Sequence, residues 1–213
     1  MPLATIQAIE KQIERRIRLF EQKNGIRLDD EVRFIRSWIE KPLSIGAVMA
    51  SSRVLARAMA GYVDTDIPGP VIELGPGTGV VTQALVEQGV GAERLVLVEF
   101  NPTFCRILRN RYPEATVIQG DAYRMNHLLG GLLRDPAAAV VSGLPLLTQP
   151  SKRRLRLINE AFSLMMPNAP FIQFTYAMVT APIPCRRADV TAERSKVIWQ
   201  NVPPARVWVY RKG

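Results

Sequence analysis

The segment Val71-Ile72-Glu73-Leu74-Gly75-Pro76-Gly77-Thr78-Gly79 constrains this chain more than any other. A short apolar run ends in an acidic side chain, three glycines follow at alternate positions, and a stretch of helical composition begins after them. The pattern is that of a strand entering a helix through a tight turn. Glycine reaches the backbone angles such a turn needs, and its missing side chain lets a ligand touch the main chain. Dinucleotide-binding folds share this general layout, so the turn alone defines a nucleotide-type site and not its occupant. Glu73 at the strand end narrows the choice, because a carboxylate suits a cationic amino-acid ligand better than a pyrophosphate.

Downstream of Pro68-Gly69-Pro70, short apolar runs alternate with longer helical stretches, as in βαβ units around a parallel sheet. Strands are expected near 70–74, 94–99, 115–119, 137–142 and 170–176, and helices near 79–88, 102–110, 124–133 and 151–165. Two further β-like stretches, Lys196 to Gln200 and Ala205 to Tyr210, bracket the turn Asn201-Val202-Pro203-Pro204. The expected fold is therefore α/β and Rossmann-like, with a seven-stranded, mostly parallel sheet that ends in an antiparallel hairpin. At 213 residues the chain has room for one sizeable core and an appendage. Residues 1–62 are expected to form an N-terminal helical extension and 63–213 the main domain.

The ends of the next two strands carry matching chemistry. Leu95-Val96-Leu97-Val98 runs into Glu99-Phe100-Asn101-Pro102. An acidic residue some 20 positions beyond the glycine turn can accept from both hydroxyls of a ribose, and the Phe100 ring can pack on an adenine face. The third strand ends in Gln119-Gly120-Asp121-Ala122, where Asp121 can accept from an adenine amino group. Taken singly, each residue has an ordinary structural role at a strand end or in the core. The series of three is what is specific.

These motifs, over about residues 70 to 145, resemble those of class I methyltransferases. A closer similarity, to bacterial phospholipid N-methyltransferases, runs nearly end to end. It is carried by Phe34-Ile35-Arg36-Ser37-Trp38-Ile39-Glu40-Lys41-Pro42, Gly46, Ser51-Ser52, the glycine turn, Ser142-Gly143-Leu144-Pro145, and Asn201-Val202-Pro203-Pro204-Ala205 with Trp208. The resemblance implies S-adenosylmethionine as the methyl donor and S-adenosylhomocysteine as its product. It also implies successive methylation of phosphatidylethanolamine toward phosphatidylcholine. The cofactor contacts it implies are Met49, Ser51, Glu73, Gly75, Pro76, Gly77, Thr78, Gly79, Glu99, Phe100, Asn101, Gly120, Asp121, Ala122 and Ser142. The catalytic positions are Ser142, Gly143 and Tyr176, and the acceptor is expected against Leu144, Pro145, Tyr176, Arg186 and Arg187. Tyr176 stands at a strand end, where α/β sheets place ligand contacts, and a guanidinium from Arg186 or Arg187 matches a headgroup phosphate.

Ribosomal RNA adenine dimethyltransferases are similar in layout, and their fourth strand ends in an Asn-Leu-Pro-Tyr type motif that reads and stacks on the target base. Here the residues are Ser142-Gly143-Leu144-Pro145-Leu146, so both base-reading groups are replaced. That departure favours a lipid amine over a base. The alternative reading is an rRNA adenine or small-molecule amine N-methyltransferase, supported by the net charge alone, and a non-catalytic binding protein on the same fold is disfavoured by the intact cofactor motifs.

With 28 Lys and Arg against 19 Asp and Glu, the net charge of +9 calls for a polyanionic partner, nucleic acid or an anionic membrane. Between Thr5 and Asn24, Ile6, Ile9, Ile13, Ile17 and Phe20 form one helical stripe flanked by Lys11, Arg15, Arg16 and Arg18. Such a helix can lie in a membrane interface, each basic residue contributing about 1 kcal/mol on an anionic surface. A second helix is expected from Asp29 or Asp30 to the stop at Pro42, a third from Ser51 or Ser52 to Tyr62, and the cluster Lys152-Arg153-Arg154-Leu155-Arg156 near the site rim. The expected partners are an anionic membrane surface and the phosphatidylethanolamine headgroup, with nucleic acid disfavoured and the chain monomeric. No apolar run is long enough to span a bilayer and no secretory signal is evident, so the expected place is the inner face of the cytoplasmic membrane. Cys105, Cys185 and the lone His127 fit neither a metal site nor a disulfide framework. No general base stands out, and proton loss to water is expected, with Tyr176 and the carbonyls from Ser142 onward holding the amine.

Overall fold

Five apolar runs form the parallel part of a single sheet in the computed structural model, which describes residues 45–176, 181–183, 188–201 and 203–213, with only the backbone described for 45–52. The strands are β1 (Val71–Leu74), β2 (Leu95–Glu99), β3 (Thr116–Gln119), β4 (Ala139–Ser142), β5 (Phe171–Tyr176), β6 (Val190–Arg194) and β7 (Ala205–Lys212). Their order across the sheet is β3-β2-β1-β4-β5-β7-β6. The first five run parallel, and β7 pairs antiparallel with both β5 and β6. Every residue of β1, β2 and β4 is buried. This explains why these strands read as unbroken apolar runs instead of alternating ones: helices cover both of their faces.

The helices are α1 (Ile45–Ala60), α2 (Val80–Gln88), α3 (Pro102–Arg111), α4 (Met125–Leu129) and α5 (Ser151–Leu164). They divide into two layers. Leu55 and Met59 of α1, Leu85 of α2 and Leu108 of α3 pack on Val71, Leu97, Val141, Ile172 and Val207. Met125 and Leu129 of α4 and Leu157, Ile158 and Ala161 of α5 pack on Ile72, Leu74, Val140, Phe171 and Tyr210 on the other face. Burying aliphatic side chains of this size contributes roughly 1.5–3 kcal/mol each, so both layers are tied firmly to the sheet. α1 thus shares a core with β1 and β4, although it falls within the 1–62 segment read as an extension.

Three element boundaries differ from the sequence expectation. α1 begins at Ile45, upstream of Ser51 and Ser52. The small and apolar run Gly46-Ala47-Val48-Met49-Ala50 continues the helix, and the local N-cap preference of serine yields to it. The helix expected over 124–133 is instead a 3-10 turn at Ala122–Arg124 followed by α4, which ends at Leu129 before Gly130 and Gly131. In the hairpin, β7 is paired by Val190–Arg194, whereas the expected stretch from Lys196 to Gln200 contributes only an isolated bridge between Ile198 and Ala205. β6 is an edge strand with nearly every residue exposed, so its sequence has no apolar alternation, and backbone pairing with β7 defines it.

The amphipathic helix expected over 5–24, the one ending at Pro42, Cys185, Arg186 and Arg187 lie outside the described residues. Among the described residues no helix is long and apolar enough to cross a membrane, and no three side chains of metal-ligating type come together.

Candidate cofactor and acceptor site

Four turns meet at the C-terminal edge of the parallel strands, and main-chain hydrogen bonds join them. Gly75 N–H donates to the Val98 carbonyl (2.9 Å), Gly120 N–H to the Glu99 carbonyl (3.0 Å), and Gly143 N–H to the Leu74 carbonyl (2.8 Å). The strand ladders therefore continue one step past each strand, and the motifs that end β1, β2, β3 and β4 form one connected rim.

In the first turn Gly75, Gly77 and Gly79 all have left-handed φ, at 70°, 57° and 83°. Any L-residue would be strained there. Their surroundings differ. A Cβ on Gly75 would come within 2.9 Å of Leu144 Cδ2, and one on Gly79 within 3.1 Å of Leu108 Cδ2. A Cβ on Gly77 would meet nothing within 4 Å. Gly77 is thus the part of the turn that faces open space, as a ligand cradle requires. Pro76 is buried and Thr78 exposed.

Glu99 reads directly into this cradle. Its carboxylate is 7% exposed and accepts from Gly77 N–H through Oε2 (2.9 Å) and from Asn101 N–H through Oε1 (2.7 Å). Each oxygen keeps a second lone pair for a ribose hydroxyl. Phe100, beside it, is 74% exposed and offers an aromatic face at the rim. The side chain of Asn101 caps α3, accepting from Thr103 N–H (2.8 Å) and Phe104 N–H (3.4 Å), and Pro102 occupies the first helical turn.

Glu73 turns inward. It is 1% exposed, and its Oε2 accepts from Thr82 Oγ1 (2.7 Å), tying β1 to α2 beneath the glycine turn. Burial, partly offset by the Thr82 bonds, pushes its pKa up to about 7. The sequence reading missed Thr82. Its signal is a polar residue among the buried positions of α2, which are otherwise Ala84 and Leu85.

At the third motif Asp121 accepts from Tyr123 N–H (3.0 Å) and pairs with Arg153 Nη2 (3.3 Å), while Ala122 is buried. The Arg153 guanidinium lies 4.2 Å from the centroid of the Tyr123 ring. Burial pushes the Tyr123 phenol up to about 12. This places Arg153, one residue of the α5 basic cluster, against the third motif. Within the cluster Arg154 donates to Ser151 Oγ (2.9 Å) and to the Pro182 carbonyl, and Arg156 pairs with Glu160 (2.8 Å). Met49 and Ser51 fall on α1, and their side chains lie outside the described set.

The fourth motif abuts the first. Ser142 is fully buried and its Oγ accepts from Leu144 N–H (3.4 Å). A Cβ on Gly143 would meet the Gly75 carbonyl oxygen at 2.9 Å, so this position has no room for a side chain unless the cofactor turn moves. Pro145 is exposed at the turn, whereas Leu146 is 2% exposed and belongs to the core under α5. Tyr176, at the end of β5, packs toward the α1 layer, edge-on to Phe174 at 5.8 Å, and burial raises its pKa. Ser142 shares the strand parity of Val140, in the α5 layer. The structure thus brings Tyr176 and Ser142 to the same edge but on opposite faces. His127 is exposed on α4.

A family model for ribosomal RNA adenine dimethylase matches residues 66–129. An ornithine lipid N-methyltransferase of Singulisphaera acidiphila is 27% identical over 145 residues, covering 67% of this chain and 76% of that protein. A ribosomal RNA small subunit methyltransferase A of Chlorobium chlorochromatii is 41% identical over 56 residues, covering 26% of this chain and 20% of that one. Among solved structures, TrmN from Thermus thermophilus superposes with a TM-score of 0.59 at 15% identity, over 78% of this chain and 51% of that chain. At that identity the likeness is one of fold, and this chain spans about half the length of TrmN. The sheet order, the open glycine cradle, the Glu99 contact and the family match define the class: the chain is an S-adenosylmethionine-dependent methyltransferase of Rossmann-like α/β fold. S-adenosylmethionine is its methyl donor, and the edge formed by the first three motifs is where the residues present fit it.

Proposed function

We propose that the chain methylates the amine of a membrane lipid, with phosphatidylethanolamine as the acceptor carried by successive transfers toward phosphatidylcholine. The observation that carries this reading is the packing of the fourth motif. The place of a base-reading asparagine is Gly143, closed by the Gly75 carbonyl at 2.9 Å, and the place of a stacking ring is the core residue Leu146. A flipped base needs polar edge contacts and a stacking surface; a small amine at the end of a lipid needs neither. The match to the ornithine lipid enzyme, over 145 residues, supports the same reading. The RNA alternative is favoured by the family model, but that match stops at residue 129, before the acceptor motif begins.

When bound, S-adenosylmethionine supplies an electrophilic methyl group. The residues of the chain orient and desolvate around it. Glu99 and Gly77 hold the nucleoside end, Leu144 packs against Gly75 to close the turn, and the carbonyls from Ser142 onward face the acceptor amine. Tyr176, its pKa raised by burial, is a neutral phenol at physiological pH and a donor or acceptor rather than a base. The proton of the ammonium leaves to water. We further propose that the chain acts as a monomer on the inner face of the cytoplasmic membrane. There the basic stripe of residues 5–24 meets anionic lipid, and Arg186 or Arg187 the headgroup phosphate.

The test is transfer of label from methyl-labelled S-adenosylmethionine to three acceptors offered separately: anionic vesicles containing phosphatidylethanolamine, the same vesicles containing ornithine lipid, and ribosomal RNA. Label in phosphatidylethanolamine is expected. Label confined to RNA overturns the proposal.

A further inference from the structure

Two buried polar atoms without partners lie at the acceptor end of the sheet, and they are of opposite hydrogen-bonding sense. Gln173 sits on β5 between Ser142 of β4 and Trp208 of β7 and is 1% exposed. Its Nε2 donates to the Leu144 carbonyl (3.1 Å) and to the Phe174 carbonyl (2.9 Å). Two acceptors on one side of the amide fix its orientation, so Oε1 is the remaining end, and it is buried with no donor. Arg206 lies on β7 opposite Thr175. Its Nε is buried with no acceptor.

Strand parity puts both side chains on one face. Phe171 shares the parity of Gln173, Tyr210 that of Arg206, and both rings belong to the layer under α4 and α5. Gln173 is paired with Trp208, so Arg206 is its diagonal neighbour, at a typical separation of about 7–8 Å. Interiors seldom leave polar groups unpartnered, and the two here are an acceptor and a charged donor on one face of the sheet, flanking Trp208, whose Nε1 donates to Thr175 Oγ1 (2.9 Å).

We propose that Gln173 and Arg206 form the headgroup subsite, Gln173 Oε1 accepting an N–H of the acceptor amine and Arg206 Nε donating to an oxyanion of the same molecule. This rests on the N-methylation reading above. The amide that base-modifying relatives carry in the fourth motif is here supplied by the adjacent strand and held by the Leu144 carbonyl of that motif. An amine whose N–H is accepted by Gln173 has its lone pair directed by that bond. The acceptor class is a short zwitterion, its oxyanion a phosphodiester or a carboxylate.

The test uses the full chain saturated with S-adenosylhomocysteine and labelled with nitrogen-15 at arginine. The Arg206 Nε–H resonance, assigned by its loss in Arg206→Lys, is followed on adding glycerophosphoethanolamine, ornithine or inorganic phosphate. A saturable shift with glycerophosphoethanolamine supports a phosphodiester, and one with ornithine a carboxylate. No shift with any probe, or an equal shift with phosphate alone, overturns the zwitterion subsite. Because this readout does not need turnover, an intact shift in a protein that methylates no lipid supports the subsite while removing the lipid reading. In kinetics, Arg206→Lys and Gln173→Met are expected to raise KM for the lipid roughly ten- to hundredfold, as loss of a buried or charged hydrogen bond does. S-adenosylhomocysteine affinity should be unchanged. Equal losses of cofactor affinity would assign both residues a merely structural role; if Gln173→Met does not fold, the resonance of the unsubstituted chain decides.

Discussion

Replacing Glu73 by Gln separates the electrostatic burden of the buried carboxyl from its structural bond. Burial moves the carboxyl from 4.5 to about 7, which corresponds to about 3 kcal/mol against the ionised form. In the unfolded chain the group loses its proton near pH 4.5, and in the folded chain near 7. Between these values the folded state holds the extra proton, so the free energy of unfolding falls as pH rises and the loss is complete above about pH 8. A glutamine keeps an oxygen to accept from Thr82 Oγ1 and does not titrate. Urea unfolding of both proteins, without cofactor, at pH 5 and pH 8 should show the stability of Glu73→Gln minus that of the unsubstituted chain growing by about 2.5 kcal/mol, since part of the loss is already present at pH 5. In melting temperature the same change is roughly 5–10 °C for a chain of this size. Other titrating groups cancel in the difference. A difference that stays constant with pH, or shrinks as pH rises, would falsify the assignment of the raised pKa to this carboxyl.

Three further outcomes follow from the rim. Glu99→Gln leaves a single acceptor oxygen and turns a donor toward one of the Gly77 and Asn101 N–H groups, so S-adenosylhomocysteine affinity by calorimetry should fall at least roughly tenfold; unchanged affinity would remove Glu99 from the site. Gly77→Ala meets no protein atom and should lower cofactor-free stability by about 1–2 kcal/mol for its left-handed φ alone. Gly75→Ala should lower it further, because it also meets Leu144. Thermal melts with and without S-adenosylhomocysteine should show the ligand-induced rise lost in Gly77→Ala, and a full rise would mean that Gly77 does not face the ligand. Gly143→Asn should destabilise by about 1–3 kcal/mol through overpacking against the Gly75 carbonyl and gain no RNA methylation. A stable variant that labels RNA contradicts the packing argument.

The parallel strands were legible because burial on both faces writes them as apolar runs: β1, β2, β4 and β5 all start within two residues of their expected positions. β6 was not, because Val190-Thr191-Ala192-Glu193-Arg194 is an exposed edge whose pairing is chosen by the backbone of β7. The cofactor motif was legible for a similar reason, since the glycines and Glu99 answer local backbone demands within a few residues of one another in the fold. The Asn101 side chain caps α3, a role its position directly before Pro102 already encodes. The acceptor side was least legible. Gln173 and Arg206 are remote in sequence and reach one face of the sheet only through antiparallel pairing, and Tyr176 and Ser142 share an edge without sharing a face. A glutamine inside the buried strand Phe171-Ile172-Gln173-Phe174 is the one hint the sequence holds.

Gly75 and Gly143 each leave room for the other's surroundings, Gly143 against the Gly75 carbonyl and Gly75 against Leu144. One consequence concerns how such a protein can change over generations. No single codon change at 143 adds a side chain there without disturbing the turn that holds the methyl donor, so a lineage altering its acceptor through this position passes through variants with impaired cofactor binding. The open path lies on β5 and β7, where a substitution reshapes the acceptor side and leaves the donor turn untouched.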